Sequence, residues 1–170
     1  MSDMGLWIKN VTMTNVDLPK MTVKGDFVFS AVSDGLELTR CTGAVETFSS
    51  DDVDKRIVSI GTGAFSNVDA LRSVVLSANV SRVDDYAFLG CGNLTDVRIT
   101  GNVTAIGSYA FSGCKSLRGL YVPPSVTSIG AGAFPDAGDF TLYGAENSAI
   151  HRYAEAHGML FVAARGPAAA

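Results

Sequence analysis

From residue 57 onward the apolar positions recur at one fixed interval. Phe65, Phe88, Phe111 and Phe134 each lie 23 residues from the last. The same interval relates Ile60, Val83, Ile106 and Ile129, then Ala64, Ala87, Ala110 and Ala133, then Ile57, Val80, Val103 and Val126. Leu71, Leu94 and Leu117 follow, with Val74, Val97 and Leu120 and with Leu76, Ile99 and Val122. This many columns in phase mark an internal repeat rather than a chance echo.

The pattern within each unit predicts its elements. In "LRSVVLS", "LTDVRIT" and "LRGLYVP" the pairs Val74/Leu76, Val97/Ile99 and Leu120/Val122 alternate with other residues, the period-two mark of a half-buried strand. A second short extended piece is expected at "VSRV", "VTAI" and "VTSI". Between the extended pieces, "GxxAFxxCxxL" spaces its Ala, Phe, Cys and Leu for a tight helical or 3₁₀ turn with one apolar face. One unit cannot bury that face alone. Like units stacked at the strand spacing, about 4.8 Å, would build a continuous core. Upstream, "FVFSAVSDGLELT" reads as a hairpin, with Asp34-Gly35 suited to a type I′ turn.

Those residues carry a resemblance. "IGSYAFSGCKSLRGLYVPPSVTSIG" resembles the BspA-like leucine-rich repeat of bacterial surface proteins, strongly over residues 57–134. The first unit has Val68 in place of Cys, and Pro123 with Pro124 occurs only in the third. By the same resemblance, "CTGAVETFSSDDVDKRIVSIG" is a degenerate first coil, and "DFTLYGAENSAIHRYAEAHGMLFV" a closing segment. That segment implies a strand from Phe140 to Tyr143, a helix capped by Asn147 or Ser148 and stopped at Gly158, and a final strand. The expected fold is a β-rich, right-handed leucine-rich repeat solenoid of about five coils with a β-hairpin N-terminal cap and a strand-helix-strand C-terminal cap. Its divisions are a strand-like arm at 1–25, the cap and first coil at 26–56, repeats at 57–138, the closing cap at 139–163 and a disordered tail at 164–170. The arm extends the cap, reaches a neighbour or ends a truncated domain.

Composition narrows the function. The 170 residues carry a net charge of −4, and no basic stripe suited to nucleic acid is visible. No apolar run approaches the ~20 residues that span a bilayer, so no membrane insertion is expected. The first residues lack the pattern of a signal peptide, which makes the protein leaderless or its targeting segment absent from this chain.

Candidate chemistry is sparse. Cys91 and Cys114 share a column with Val68 and Ala137, which asks for a small buried apolar group, although adjacent coils would also bring two cysteines within disulfide reach. Two thiols without nearby histidines make a poor zinc site. Cys41 stands alone on the N-terminal strand. His151 and His157 belong on the cap helix, where His151 and Glu155 could hold only an adventitious metal. Asp51, Asp52 and Asp54 lack the glycine and distal glutamate of a calcium loop and read as a polar loop. Asn10, Asn79, Asn93 and Asn102 open N-x-S/T triplets that read as turn residues. No catalytic, cofactor or metal constellation is expected.

The surface with the composition of an interface is the outward side of the main sheet. Val75, Arg98 and Tyr121 form its central column, flanked by Asp96, and Tyr86 and Tyr109 fall one coil apart on the turn edge. With the resemblance, this implies a non-enzymatic protein-binding or adhesion module, extracellular or on a bacterial cell surface, with a host or matrix protein as partner. A structural or assembly subunit, such as a phage virion component, is the second reading; it would use residues 1–25 for homo-oligomer contacts. A targeting fragment of a larger enzyme is the third.

Overall fold

The computed structural model describes residues 21–100 and 102–166. Most of the expected arm, Asn10 and the end of the expected tail lie outside these residues. The repeat is built as its pattern dictates, each unit sending one strand to each of two faces. On one face lie β4 (Thr47–Ser49), β6 (Ser73–Leu76), β8 (Asp96–Ile99) and β10 (Gly119–Tyr121). On the other lie β5 (Ile57–Ile60), β7 (Arg82–Val83), β9 (Ala105–Ile106) and β11 (Ser128–Ile129). All pairings between repeat strands are parallel and advance by one unit, as in Val74 to Val97 and Val83 to Ile106.

The face expected to be the main sheet is the smaller one. The short strands form the widest sheet, seven-stranded, because the N-terminal hairpins join it: β1 (Met21–Lys24), β2 (Phe27–Val32) and β3 (Gly35–Cys41), in the order β1-β2-β3-β5-β7-β9-β11. The opposite face divides into β4-β6-β8 and a second sheet in which β10 pairs with β12 (Thr141–Gly144), and β12 with β13 (Leu160–Ala163). One cause of the division is legible. The Thr100 amide donates to the Leu76 carbonyl at 2.9 Å, and its counterpart one unit on is Pro123, which has no amide hydrogen.

Both hairpin turns contain two residues. Gly25 and Asp26 join β1 to β2, with Gly25 at φ +59°, the first-position glycine of a type II′ turn. The second turn is Ser33-Asp34, not Asp34-Gly35, since Gly35 already pairs with Val32. Gly35 is required for a different reason: a Cβ there would lie 2.4 Å from the Arg56 carbonyl oxygen, where the next strand passes.

The turn between faces is a third hydrogen-bonded face. Its amides alternate in destination. Those of Tyr86, Phe88 and Gly90 donate to Ser108, Ala110 and Ser112 of the next coil, while those of Ala87, Leu89 and Cys91 close i to i+3 turns within their own coil. Polar side chains add further links between coils. Asn79, Asn93 and Asn102 donate to the carbonyls of Lys55, Asp69 and Ala78, so these asparagines bind coil to coil as well as turning the chain.

At the centre runs a phenylalanine ladder. Phe65, Phe88, Phe111 and Phe134 stack at centroid spacings of 5.1, 5.2 and 6.3 Å. Phe48 extends it at the N-terminal end and Phe140 at the C-terminal end. The closing helix α2 (Ala149–His157) places Tyr153 edge-on to Phe134 at 82°. Ser148 caps α2 by accepting the His151 amide, and Gly158 ends it at φ +63°. The acidic stretch read as a loop contains a helical turn, α1 (Ser50–Val53), which fits its two aspartates in the first turn.

Candidate functional site

The outward strand positions place the expected surface residues in one row that crosses the sheet division. On the first half Ser49 lies opposite Val75 and Val75 opposite Arg98. On the second half Tyr121 lies opposite Tyr143 and Tyr143 opposite Val162. β8 and β10 adjoin without a backbone ladder between them, so the two halves meet between Arg98 and Tyr121. The Arg98 guanidinium lies 3.4 Å from the Asp96 carboxylate, both half-exposed, a pair worth little to stability and free to exchange partners.

Sequence reasoning missed Tyr143, Leu160 and Val162, because the closing segment leaves the 23-residue period. Alternation was the available signal: Thr141 and Tyr143 alternate with the buried Phe140 and Leu142. Leu160 and Val162 are 55% and 48% exposed, unusually open for aliphatic side chains on a strand. Beside Tyr121 lies a groove of about 530 Å³, lined by Pro124, Ala145, Glu146, Ala163, Ala164 and Arg165. Its rim carries one charge of each sign.

Tyr86 and Tyr109 stand apart from this row, on the turn edge. Their rings are parallel, with centroids 5.6 Å apart at 3°, and each is nearly half exposed. Both residues sit in the left-handed region, at φ +58° and +56°. The same column holds Gly63 at +65° and Gly132 at +62°. Left-handed backbone costs a side-chain-bearing residue about 1–2 kcal/mol, so two adjoining coils carry a tyrosine where their neighbours carry the residue that fits without strain.

The cysteines are buried within the turns. Cys91 and Cys114 are fully buried free thiols that donate to the carbonyls of Phe65 and Phe88, at 3.0 and 3.2 Å. Burial pushes Cys91 up to about 11 and Cys114 up to about 12, so both remain protonated and unreactive at neutral pH. Cys41 is a partly buried free thiol near the Gly43 carbonyl, also raised by burial.

Both histidines serve the cap. His151 accepts the Asn147 amide through Nδ1, stacks on Phe161 at 4.3 Å and stays 3.7 Å from Glu155; His157 bonds the Tyr153 carbonyl. Asp54 grips Arg56 through both carboxylate oxygens, and these bonds hold its carboxyl well below the usual carboxylate range. On the seven-stranded face Arg82 lies between Glu37 at 3.2 Å and Asp84 at 2.5 Å, beside a groove of about 300 Å³ floored by Ala105 and Gly107. Among the described residues no group of three or more His, Cys, Asp or Glu side chains could hold a metal, and no helix is long and apolar enough to cross a membrane.

A parallel, 23-residue solenoid with an interior phenylalanine ladder defines a leucine-rich repeat protein. The model of the BspA-type leucine-rich repeat region matches residues 40–142 in six copies, and the chain belongs to that family. Among solved structures, a leucine-rich repeat protein of T. pallidum is 25% identical, with a TM-score of 0.57, over 73% of this chain and 71% of its own. One from Bacteroides capillosus is 24% identical with a TM-score of 0.63, over 73% of this chain and 97% of its own. One from Bacteroides ovatus is 20% identical with a TM-score of 0.59, over 84% of this chain and 41% of its own. No curated protein matches the sequence significantly. Leucine-rich repeat proteins generally mediate protein–protein interaction as non-enzymatic scaffolds, and BspA-like members are typically surface proteins.

Proposed function

We propose that the protein is a non-enzymatic binding module that engages a protein partner through its outward row. The observation that carries this reading is the register of Tyr121, Tyr143 and Val162, three side chains set side by side by backbone ladders. Aromatic anchors fixed on a rigid strand lose little entropy on binding, and the adjoining Arg98 and Asp96 supply the polar rim that protein interfaces show. Val75 continues the row on the N-terminal side. Family membership supports adhesion to a host or matrix protein at a cell surface as the setting.

The test is binding of the chain to a panel of purified matrix proteins, with R98A/Y121A as the variant. The double substitution should weaken the interaction at least about tenfold, or 1.4 kcal/mol, and leave the melting temperature unchanged. Unchanged affinity for the partner found would end this assignment. A second reading is assembly through residues 1–25. It draws on β1 being, among the described residues, the outermost strand of the seven-stranded sheet, with β2 as its neighbour there. Sedimentation of the chain with and without residues 1–25 decides it: a monomer in both cases removes that reading.

A further inference from the structure

Apart from β8 and β10, which adjoin one another, the sheets of the described residues end at β1, β4, β11 and β13. A charge or a short length keeps a free edge from pairing with another chain. β1 ends in Lys24, β4 spans three residues and runs into the two aspartates of α1, and β11 spans two residues. β13 has neither protection. Its residues are Leu-Phe-Val-Ala, uncharged, and among the described residues it pairs with β12 alone and without a bulge. The Ala164 amide donates to the Gly144 carbonyl at 2.8 Å. Backbone groups alternate sides along a parallel strand, so those of Phe161 and Ala163 point away from β12. Beside them, on the outward face, stand the exposed Leu160 and Val162.

We infer that β13 pairs with β13 of a second copy of the chain, antiparallel, about a two-fold axis perpendicular to the sheet. Phe161 then faces the second copy's Ala163, and Ala163 its Phe161, an arrangement that satisfies the outward backbone groups of both strands. Two observations select this occupant. The first is charge. The exposed Arg165 follows the strand, while the exposed Glu155 lies beside its start: His151 stacks on Phe161, and Glu155 is one helical turn further on, 3.7 Å from His151. Antiparallel copies therefore bring unlike charges together at both ends of the pair, whereas parallel copies would oppose like charges. The second is the apolar face. This register sets Val162 opposite Val162 in the non-hydrogen-bonded position, where side chains approach most closely, with each Leu160 on the diagonal. The exposed aliphatic pair of one copy thus covers that of the other. Tyr121, Tyr143 and Val162 already lie in register, so the two outward rows would join into one across the axis.

The test is sedimentation of the full chain from micromolar to millimolar concentration, where a reversible monomer–dimer equilibrium is expected. V162K sets two ammonium groups against each other at the axis, and A163P removes an outward amide hydrogen that β12 does not use. Each should weaken dimerisation at least about tenfold and leave the melting temperature of the dilute chain unchanged. R165E should weaken it as well, and E155R/R165E should restore it. Under mild oxidation C41S/V162C should form a disulfide-linked dimer, and C41S/L160C should not, since position 160 faces Ala164 of the second copy. A monomer at millimolar concentration overturns the inference. So does a dimer that folded V162K and A163P leave intact, as assembly through residues 1–25 would give, or one indifferent to R165E. Should V162K and A163P fail to fold, the cysteine variants decide, and equal cross-linking or none overturns the pairing. R98A/Y121A leaves β13 untouched, so a failure here is separable from a failure of the outward row.

Discussion

The rings of Phe88 and Phe111 lie parallel, 5.2 Å apart at 6°, each fully buried. Each forms one rung of a continuous column, so removing either leaves two neighbours without a partner face. Phe111→Ala should cost about 3–5 kcal/mol, the usual range for a buried phenylalanine. Urea denaturation of the variant beside the parent checks it.

The thiols of the same turns should behave differently. The Phe65 carbonyl that accepts from Cys91 also accepts the Val68 amide, so losing the thiol orphans no buried group. Cys91→Val should cost less than about 1.5 kcal/mol, as near-isosteric core exchanges do. A thiol reagent at neutral pH should modify Cys41 in the folded protein, and Cys91 and Cys114 only after unfolding. Mass spectrometry of the labelled chain distinguishes the three. Both buried thiols titrate higher folded than unfolded, so their neutral form contributes stability below the unfolded value, about 8.5, that is lost as pH rises toward 11 and 12.

Asp54 gives the opposite sign at the acid end. Its folded value is depressed by Arg56, so its contribution is complete above the unfolded carboxylate value of about 3.9 and declines as pH falls below it. Melting temperature measured from pH 6 down to pH 2 should fall less steeply in D54N than in the parent.

Two glycines provide a contrast in packing. A Cβ on Gly107 would lie 2.4 Å from the Asp85 backbone nitrogen, whereas one on Gly92 would meet nothing within 4 Å. Gly107→Ala should destabilise by about 1–3 kcal/mol through forced separation of two coils. Gly92→Ala should fall within about 0.5 kcal/mol of the parent. Thermal melts of the two variants side by side make the comparison.

The repeat was readable because each of its columns is a contact between identical environments, which constrains residue type at every coil. Phe65 through Phe134 is the clearest case. The division of the outer face was harder to read, since it depends on β10 taking β12 as its partner, a choice made by the cap and only hinted at by Pro123. Gly35 shows a second difficulty. Asp-Gly is a strong local turn signal, yet the glycine serves the approach of Arg56, a constraint visible only in three dimensions. The surface row was half legible: Arg98 and Tyr121 follow from the period, and Tyr143 and Val162 lie beyond it. Tyr86 and Tyr109 were legible as a pair, but their left-handed backbone was not.

The edge-on meeting of Tyr153 with Phe134 has a consequence for how such a protein can vary in length. Parallel rings offer an identical face to the next unit, so a column of them can be extended by splicing in further 23-residue segments. Phe140 adds one last near-parallel ring on Phe134, and the Tyr153 ring, turned through 82°, offers no such face. The cap thus acts as a stop signal for a one-dimensional crystal, and a duplication upstream of residue 139 would lengthen the solenoid while keeping its end sealed.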